Sequence, residues 1–325
     1  ECLATRESLG ILDASTLGKI EIRGTDAAEF LNRIYTNSWL KLEIGRCRYG
    51  LMLGEDGMVM DDGVTSRIGE DHYLMTTTTG GAAHVLAWME RWLQTEWPHL
   101  KVYLTSVTDH WSVTSVAGPN SREVISRLCN DIDFSPDAFP FMSFHEGTVA
   151  GIPARVYRIS FSGELAYEIN VSANVGQSLW ESVMTAGQSF NITPYGTEAM
   201  HVLRAEKGYI IVGQDTDGSV TPGDLGMDWI VSDTKDCIGK RSLSRQDTRR
   251  ENRKQLVGLT TTNPALVLPE GAQLLNEPAT EFPAPMVGHV TSSYFSPSLQ
   301  RSIALALVKG GQTREGSVVC AQLID

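Results

Sequence analysis

The chain has 325 residues, 42% hydrophobic and 20% charged, with 39 acidic against 27 basic side chains and a net charge of −12. That length exceeds one ordinary hydrophobic core and predicts two or three domains. The acidic balance argues against broad nucleic-acid or anionic-membrane binding, which needs a basic surface to release counterions. Five scattered cysteines (Cys2, Cys47, Cys129, Cys237, Cys320) without a CxxC pair argue against a zinc site or disulfide framework and fit a reducing, cytoplasmic compartment. No run of about 18 apolar residues occurs, and the start, Glu1-Cys2, carries no signal pattern. The expectation is a soluble chain cut from something longer.

In chain order, residues 18–23 alternate as a half-buried strand does, and Asp26-Ala-Ala-Glu29 reads as a capping box before a short helix through Phe30, Leu31 and Ile34. Residues 49–53 and 58–68 read as two strands around the turn 55–57, followed by a strand at 73–77. Val85, Leu86, Met89, Trp92 and Leu93 recur at helical spacing as far as Trp97. A strand at 111–116 precedes Gly118-Pro-Asn-Ser121, which opens a helix buried through Val124, Ile125 and Leu128. Residues 149–159 and 165–171 suggest strands around the turn 160–164, with helices at about 175–187 and 197–208. Short β-prone runs then follow at 256–260, 287–292, 303–308 and 317–323, punctuated by prolines in the manner of a small antiparallel barrel or sandwich. The charged stretch 245–254 is the candidate linker. These features divide the chain into an α+β body, 1–250, and a β module, 251–325.

Few residues stand out for chemistry. Asp61 and Asp62 are adjacent on a strand, so period-2 geometry sends them to opposite faces; one at most enters a cavity and the other is expected in solvent. Their plainer reading is a turn-flanking acidic pair. Glu168 lies in an apolar strand, where a carboxylate must face water or have donors waiting, and exposure is the default. Arg204 sits near a helix end marked by Lys207 and Gly208, and an internal ion pair with a glutamate is its expected use. The seven histidines show no ligand spacing, so no metal is expected. No GxGxxG, Walker or GxSxG pattern exists. Spacing alone supports an α+β protein with a few suggestive carboxylates.

Four patterns in order resemble the aminomethyltransferase family, whose founder is the T-protein of the glycine cleavage system. They are Tyr49-Gly-Leu-Met-Leu-Gly-Glu-Asp-Gly-Met-Val-Met-Asp-Asp62, Ala117-Gly-Pro-Asn-Ser-Arg122, Ser160-Phe-Ser-Gly-Glu-Leu-Ala-Tyr-Glu168 and Val290-Thr-Ser-Ser-Tyr-Phe-Ser-Pro-Ser-Leu299. Cys237-Ile-Gly-Lys-Arg-Ser-Leu243 also matches a family segment. Other segments, notably Thr76-Thr-Thr-Thr-Gly-Gly81 and Tyr195-Gly-Thr-Glu-Ala-Met-His-Val-Leu-Arg-Ala-Glu-Lys-Gly208, resemble the branch formed by alpha subunits of bacterial heterotetrameric sarcosine oxidases.

The resemblance implies a three-lobed cloverleaf of two interleaved α+β lobes and a C-terminal antiparallel β-barrel, with tetrahydrofolate bound inside. It implies Asp62 as the catalytic carboxylate beside the reacting folate nitrogens and Glu168 as the holder of the pteridine. Tyr49, Thr78, Phe161, Met200 and Val64 complete the implied contacts. Phe161 stands where the T-protein has a tyrosine, and Met200 where it has an arginine, with Arg204 one turn further on. The implied function is capture of the one-carbon unit from sarcosine oxidation as 5,10-methylenetetrahydrofolate. FAD, FMN and NAD are expected only in a missing half or in partner subunits, including a flavin-bearing beta subunit. Two alternatives stay open: a free-standing aminomethyltransferase of the glycine cleavage type, or a non-catalytic folate-binding or docking scaffold.

Overall fold

The computed structural model describes residues 1–281 and 283–323; residue 282 and residues 324–325 of the expected C-terminal module lie outside the described residues. The chain forms two compact units. The first comprises Glu1–Ile34, Ser38–Gly50 and Asp61–Leu203; the second comprises Tyr35–Asn37, Leu51–Met60 and the chain from Arg204 onward.

The helices and strands as far as Glu206 begin with α1 (Cys2–Glu7), β1 (Gly10–Asp13), β2 (Gly18–Arg23), α2 (Ala27–Ile34), β3 (Cys47–Leu53), β4 (Val59–Gly69), β5 (His72–Thr77), α3 (Ala82–Thr95), β6 (Tyr103–Ser106), β7 (Trp111–Ala117) and α4 (Ser121–Leu128). They continue with β8 (Ser143–Val149), β9 (Ile152–Arg158), β10 (Ala166–Ser172), α5 (Gly176–Ala186), β11 (Thr193–Pro194) and α6 (Thr197–Glu206). The strands build two sheets, ordered β3-β4-β5-β2-β6 and β11-β1-β7-β10-β9-β8. Amphipathic helices cover the second sheet: Val124 and Ile125 of α4 and Leu179 and Val183 of α5 pack with Val116, Val156, Tyr167 and Ile169 in one buried core. That burial leaves the opposite face of the same sheet free to carry polar groups.

The strand expected at 149–159 is β9, and the residues before it form a further strand, β8, that pairs with it as a hairpin. Ala150 (φ 52°) and Gly151 (φ 78°) reverse the chain between β8 and β9, with Val149 paired to Ile152. Two consecutive positive φ values are what a two-residue hairpin of the right twist requires. At 26–29 the capping box does not form as expected. The Asp26 carboxylate accepts the Lys101 N–H (2.7 Å), and Glu29 pairs with Arg33 a turn later.

In the second unit, β12 (Lys254–Thr260), β13 (Gln273–Leu275), β14 (Gly288–Ser296), β15 (Arg301–Lys309) and β16 (Cys320–Gln322) form an antiparallel sheet ordered β12-β15-β14-β13-β16. β13, set among the prolines, was not foreseen. Val290, Ala304, Ala306, Val308 and Leu274 form its core. Arg204, fully buried, donates to Asp215, to the Tyr209 carbonyl (2.9 Å) and to Ser292 Oγ (2.7 Å). Thr291 and Ser292 hydroxyls donate in turn to Asp215 (2.6 and 2.7 Å). The expected glutamate partner is therefore replaced by Asp215, and Glu206 instead accepts from Ser296 (2.5 Å).

Candidate functional site

All seven residues singled out by resemblance lie in the first unit. β4 carries two of them, Asp62 and Val64. Its neighbour β5 approaches so closely that a Cβ on Gly63 would lie 1.9 Å from the Thr76 carbonyl oxygen, so only glycine fits beside Asp62. The Thr76 hydroxyl bridges the Val64 N–H (3.0 Å) and carbonyl (3.1 Å) at the same point.

The two aspartates use opposite partners. Tyr49 Oη donates to Asp62 Oδ2 at 2.7 Å. Thr78 Oγ1 donates to Asp61 Oδ1 at 2.7 Å while accepting the Gly81 N–H at 3.1 Å. Asp61 is only 1% exposed, against the expectation that it faces water; the Thr78 hydroxyl replaces the solvent it lost. Thr78 thus spends its hydroxyl on Asp61 and on the start of α3. Burial pushes the Asp62 carboxyl up to about 6 against the opposing Tyr49 hydrogen bond. Burial pushes Asp61 up to about 7, with Thr78 opposing and the Asp62 charge adding.

Glu168 stands in a row across the second sheet. Phe144 pairs with Tyr157, Tyr157 with Glu168, Glu168 with Ser115 and Ser115 with Leu12, so all five side chains share one face. At one end of this row, Phe144 and Tyr157 pack with Cys47, Ile159, Val64 and Ile68. At the other end, Leu12 packs with Tyr195, Ala199, Leu203 and Met200. Ser66 Oγ lies 3.3 Å from Tyr157 Oη. Since Asp62, Val64 and Ser66 alternate along β4, the face of β4 that bears Asp62 meets the sheet face that bears Glu168. Val64, Glu168 and Met200 follow one another along that surface. Phe161, 37% exposed, sits on the loop before β10. That loop is tied by Arg6, which donates to the Ser162 carbonyl (2.6 Å), Glu164 (2.7 Å) and the Leu203 carbonyl (2.9 Å).

The Glu168 side chain is half-buried and receives no hydrogen bond from any described residue. Burial pushes its carboxyl up to about 7, opposed by the charge of Lys19. A carboxylate set deep with its lone pairs unclaimed suits a ligand that brings a pair of N–H donors. Three neighbours were not singled out from sequence: Lys19, Ser115 and Tyr195. Tyr195 is pushed up to about 12, by burial first and in part by the Glu168 charge. The sequence signal for Lys19 was a lysine within a strand of alternating polarity, which ordinarily means a solvent-facing side chain. Among the described residues no group of three or more His, Cys, Asp or Glu is placed to hold a metal, and no helix is long and apolar enough to cross a membrane.

Comparison with known proteins gives the fold and these residues a family. The model of the GCVT N-terminal domain matches residues 1–235, and that of the glycine cleavage T-protein C-terminal barrel domain matches residues 254–324. The chain belongs to the glycine cleavage T-protein family. Within it, this T-protein relative is 60% identical over its whole length to sarcosine oxidase subunit alpha of Corynebacterium sp. (strain P-1), and 44% identical over 98% of its length to that of Rhizobium meliloti (strain 1021). It spans about a third of the length of those subunits, 34% and 32% respectively. It is 29% identical to the aminomethyltransferase of Thermotoga petrophila, over 95% of this chain and 80% of that one. The crystal structure of the glycine cleavage system aminomethyltransferase T from Bartonella henselae has the same fold, with a TM-score of 0.85 at 24% identity, covering 99% of this chain and 84% of that one.

Proposed function

We propose that this T-protein-family chain is the tetrahydrofolate-binding part of a sarcosine oxidase alpha subunit and captures the one-carbon unit released by sarcosine oxidation. The observation that carries the reading is Glu168: a strand-borne carboxylate with no donor among the described residues, on the face met by the β4 surface that bears Asp62. Its two oxygens would accept the ring N–H and amino group of a pterin side by side. Val64, Phe161 and Met200 would supply apolar surface to the ring, and Tyr49 would hold Asp62. Thr78 would act through Asp61, the carboxylate its hydroxyl engages. Bound there, tetrahydrofolate supplies nucleophilic nitrogens that take the one-carbon unit to give 5,10-methylenetetrahydrofolate.

Asp62 would stabilise positive charge developing near its oxygens and take up a proton there. With its carboxyl pushed up to about 6, it is ionised at neutral pH yet basic enough to accept a proton. The 60% identity to sarcosine oxidase alpha, against 29% to an aminomethyltransferase, favours the oxidase setting over a free-standing aminomethyltransferase. On this reading the flavin and nicotinamide sites belong to the rest of the assembly, including a flavin-bearing beta subunit, and the compartment is the cytoplasm.

The test is methylenetetrahydrofolate formation from sarcosine by the full-length enzyme with its partner subunits. Asp62→Ala is expected to lower that yield at least 100-fold (on the order of 10² for one proton-transfer group) while sarcosine oxidation continues. Unchanged yield in the variant removes Asp62 from the chemistry.

A further inference from the structure

Lys19 is 1% exposed, an unusual state for an ammonium. It lies on β2 opposite Thr76 of β5, and its Nζ donates to the carbonyls of Ser15 (3.0 Å) and Leu17 (2.8 Å). An ammonium has three N–H donors, and the third has no hydrogen-bond partner among the described residues. The Ser15 hydroxyl accepts the Val113 N–H at 2.9 Å, so the residue that holds the Lys19 head is itself tied to β7 two positions from Ser115, the cross-strand partner of Glu168.

We propose that Lys19 is a positioning residue for Glu168: its buried ammonium, clamped by two backbone carbonyls, favours the charged carboxylate as the acceptor for a pair of N–H donors. The inference rests on the folate reading of the site and assigns how that site is kept ready for its ligand. The carbonyl clamp explains why the charge is fixed in place, since a flexible lysine would swing to water instead.

The titratable groups that feel Glu168 are Lys19 on β2, Tyr195 after β11 and Cys47 on β3. Tyr195 and Cys47 are both pushed up to about 12, mainly by burial, and so stay neutral and unchanging near pH 7. Lys19 itself faces Asp13 and Asp109 besides Glu168; burial lowers its proton affinity and these three carboxylates raise it. The Lys19 charge favours the ionised form of Glu168 while burial opposes it, so losing that charge moves the Glu168 titration to higher pH.

The experiment is an anaerobic titration of tetrahydrofolate into the full-length protein between pH 6 and 9. In the wild type, affinity is expected to rise as Glu168 ionises and then level off. Lys19→Gln keeps N–H donors for the two carbonyls but removes the charge. Its midpoint is expected about one pH unit higher, with affinity about fivefold lower at pH 7 and recovering by pH 9. Lys19→Arg, which keeps the charge, is expected to keep the wild-type midpoint, and remains informative if the glutamine variant melts. Equal weakening at every pH, or an unmoved midpoint in Lys19→Gln, overturns the inference, as does a displaced midpoint in Lys19→Arg. A wild-type protein that binds no tetrahydrofolate overturns the folate reading as well.

Discussion

Asp61, Asp62 and Glu168 hold their protons to higher pH than free carboxyls do, to about 7, 6 and 7, each chiefly because of burial. A carboxyl raised in the folded state leaves stability fully present below its unfolded value and lost as pH rises through the folded one. These three therefore erode stability between about pH 4 and 7. Glu168→Gln, isosteric and neutral, is expected to raise Tm at pH 8 by roughly 2 °C and to leave it unchanged at pH 4; differential scanning calorimetry at the two pH values reads the difference. Tyr49→Phe removes a hydrogen bond that favours ionised Asp62. The acid limb of the one-carbon-transfer profile is expected to move up by roughly half to one pH unit, and an unmoved limb separates Asp62 from that limb.

Among the elements, the β8–β9 hairpin carries a visible strain. Ala150 adopts φ 52° where asparagine or glycine is at ease. Ala150→Asn is expected to stabilise by roughly 0.5 kcal/mol, read by chemical denaturation; destabilisation would mean that the alanine methyl contributes more than the strain costs. The same hairpin shows why part of the fold escaped the sequence. Ala150-Gly151 lacks the usual Asn-Gly signal, so the strand expected at 149–159 runs through the turn and β8, at Ser143–Val149, goes unread. The strands with clear alternation, such as β2 at Gly18–Arg23, and the helices with long apolar periods, such as α3, were legible. The candidate site is legible only by resemblance, because local spacing cannot say that a carboxylate in one strand lacks donors. Lys19 was invisible for a related reason. Its partners are carbonyls next to it in the chain and a glutamate far along it, and neither leaves a pattern. The sequence points to an internal ion pair for Arg204 but not to its partner, since Asp215 lies in a loop without periodicity.

At the scale of the whole molecule, the second unit depends on the buried Arg204–Asp215 pair and the hydroxyls of Thr291 and Ser292 that complete it. Arg204→Ala strands Asp215 and is expected to cost about 3–5 kcal/mol, measurable by urea denaturation. Replacing Arg204 and Asp215 together by apolar residues is expected to cost much less, because no lone charge remains buried. In the first unit, α4 and α5 cover one face of the second sheet, and its other face, which bears Glu168, meets the face of β4 that bears Asp62. Calorimetric titration of tetrahydrofolate into the wild type, Glu168→Gln and Asp62→Asn tests that arrangement most directly. Glu168→Gln is expected to lose about 10- to 100-fold in affinity (about 1.5–3 kcal/mol for a charge-assisted donor pair), while Asp62→Asn binds within a few-fold of wild type and forms no methylenetetrahydrofolate. Wild-type affinity in Glu168→Gln would contradict the account.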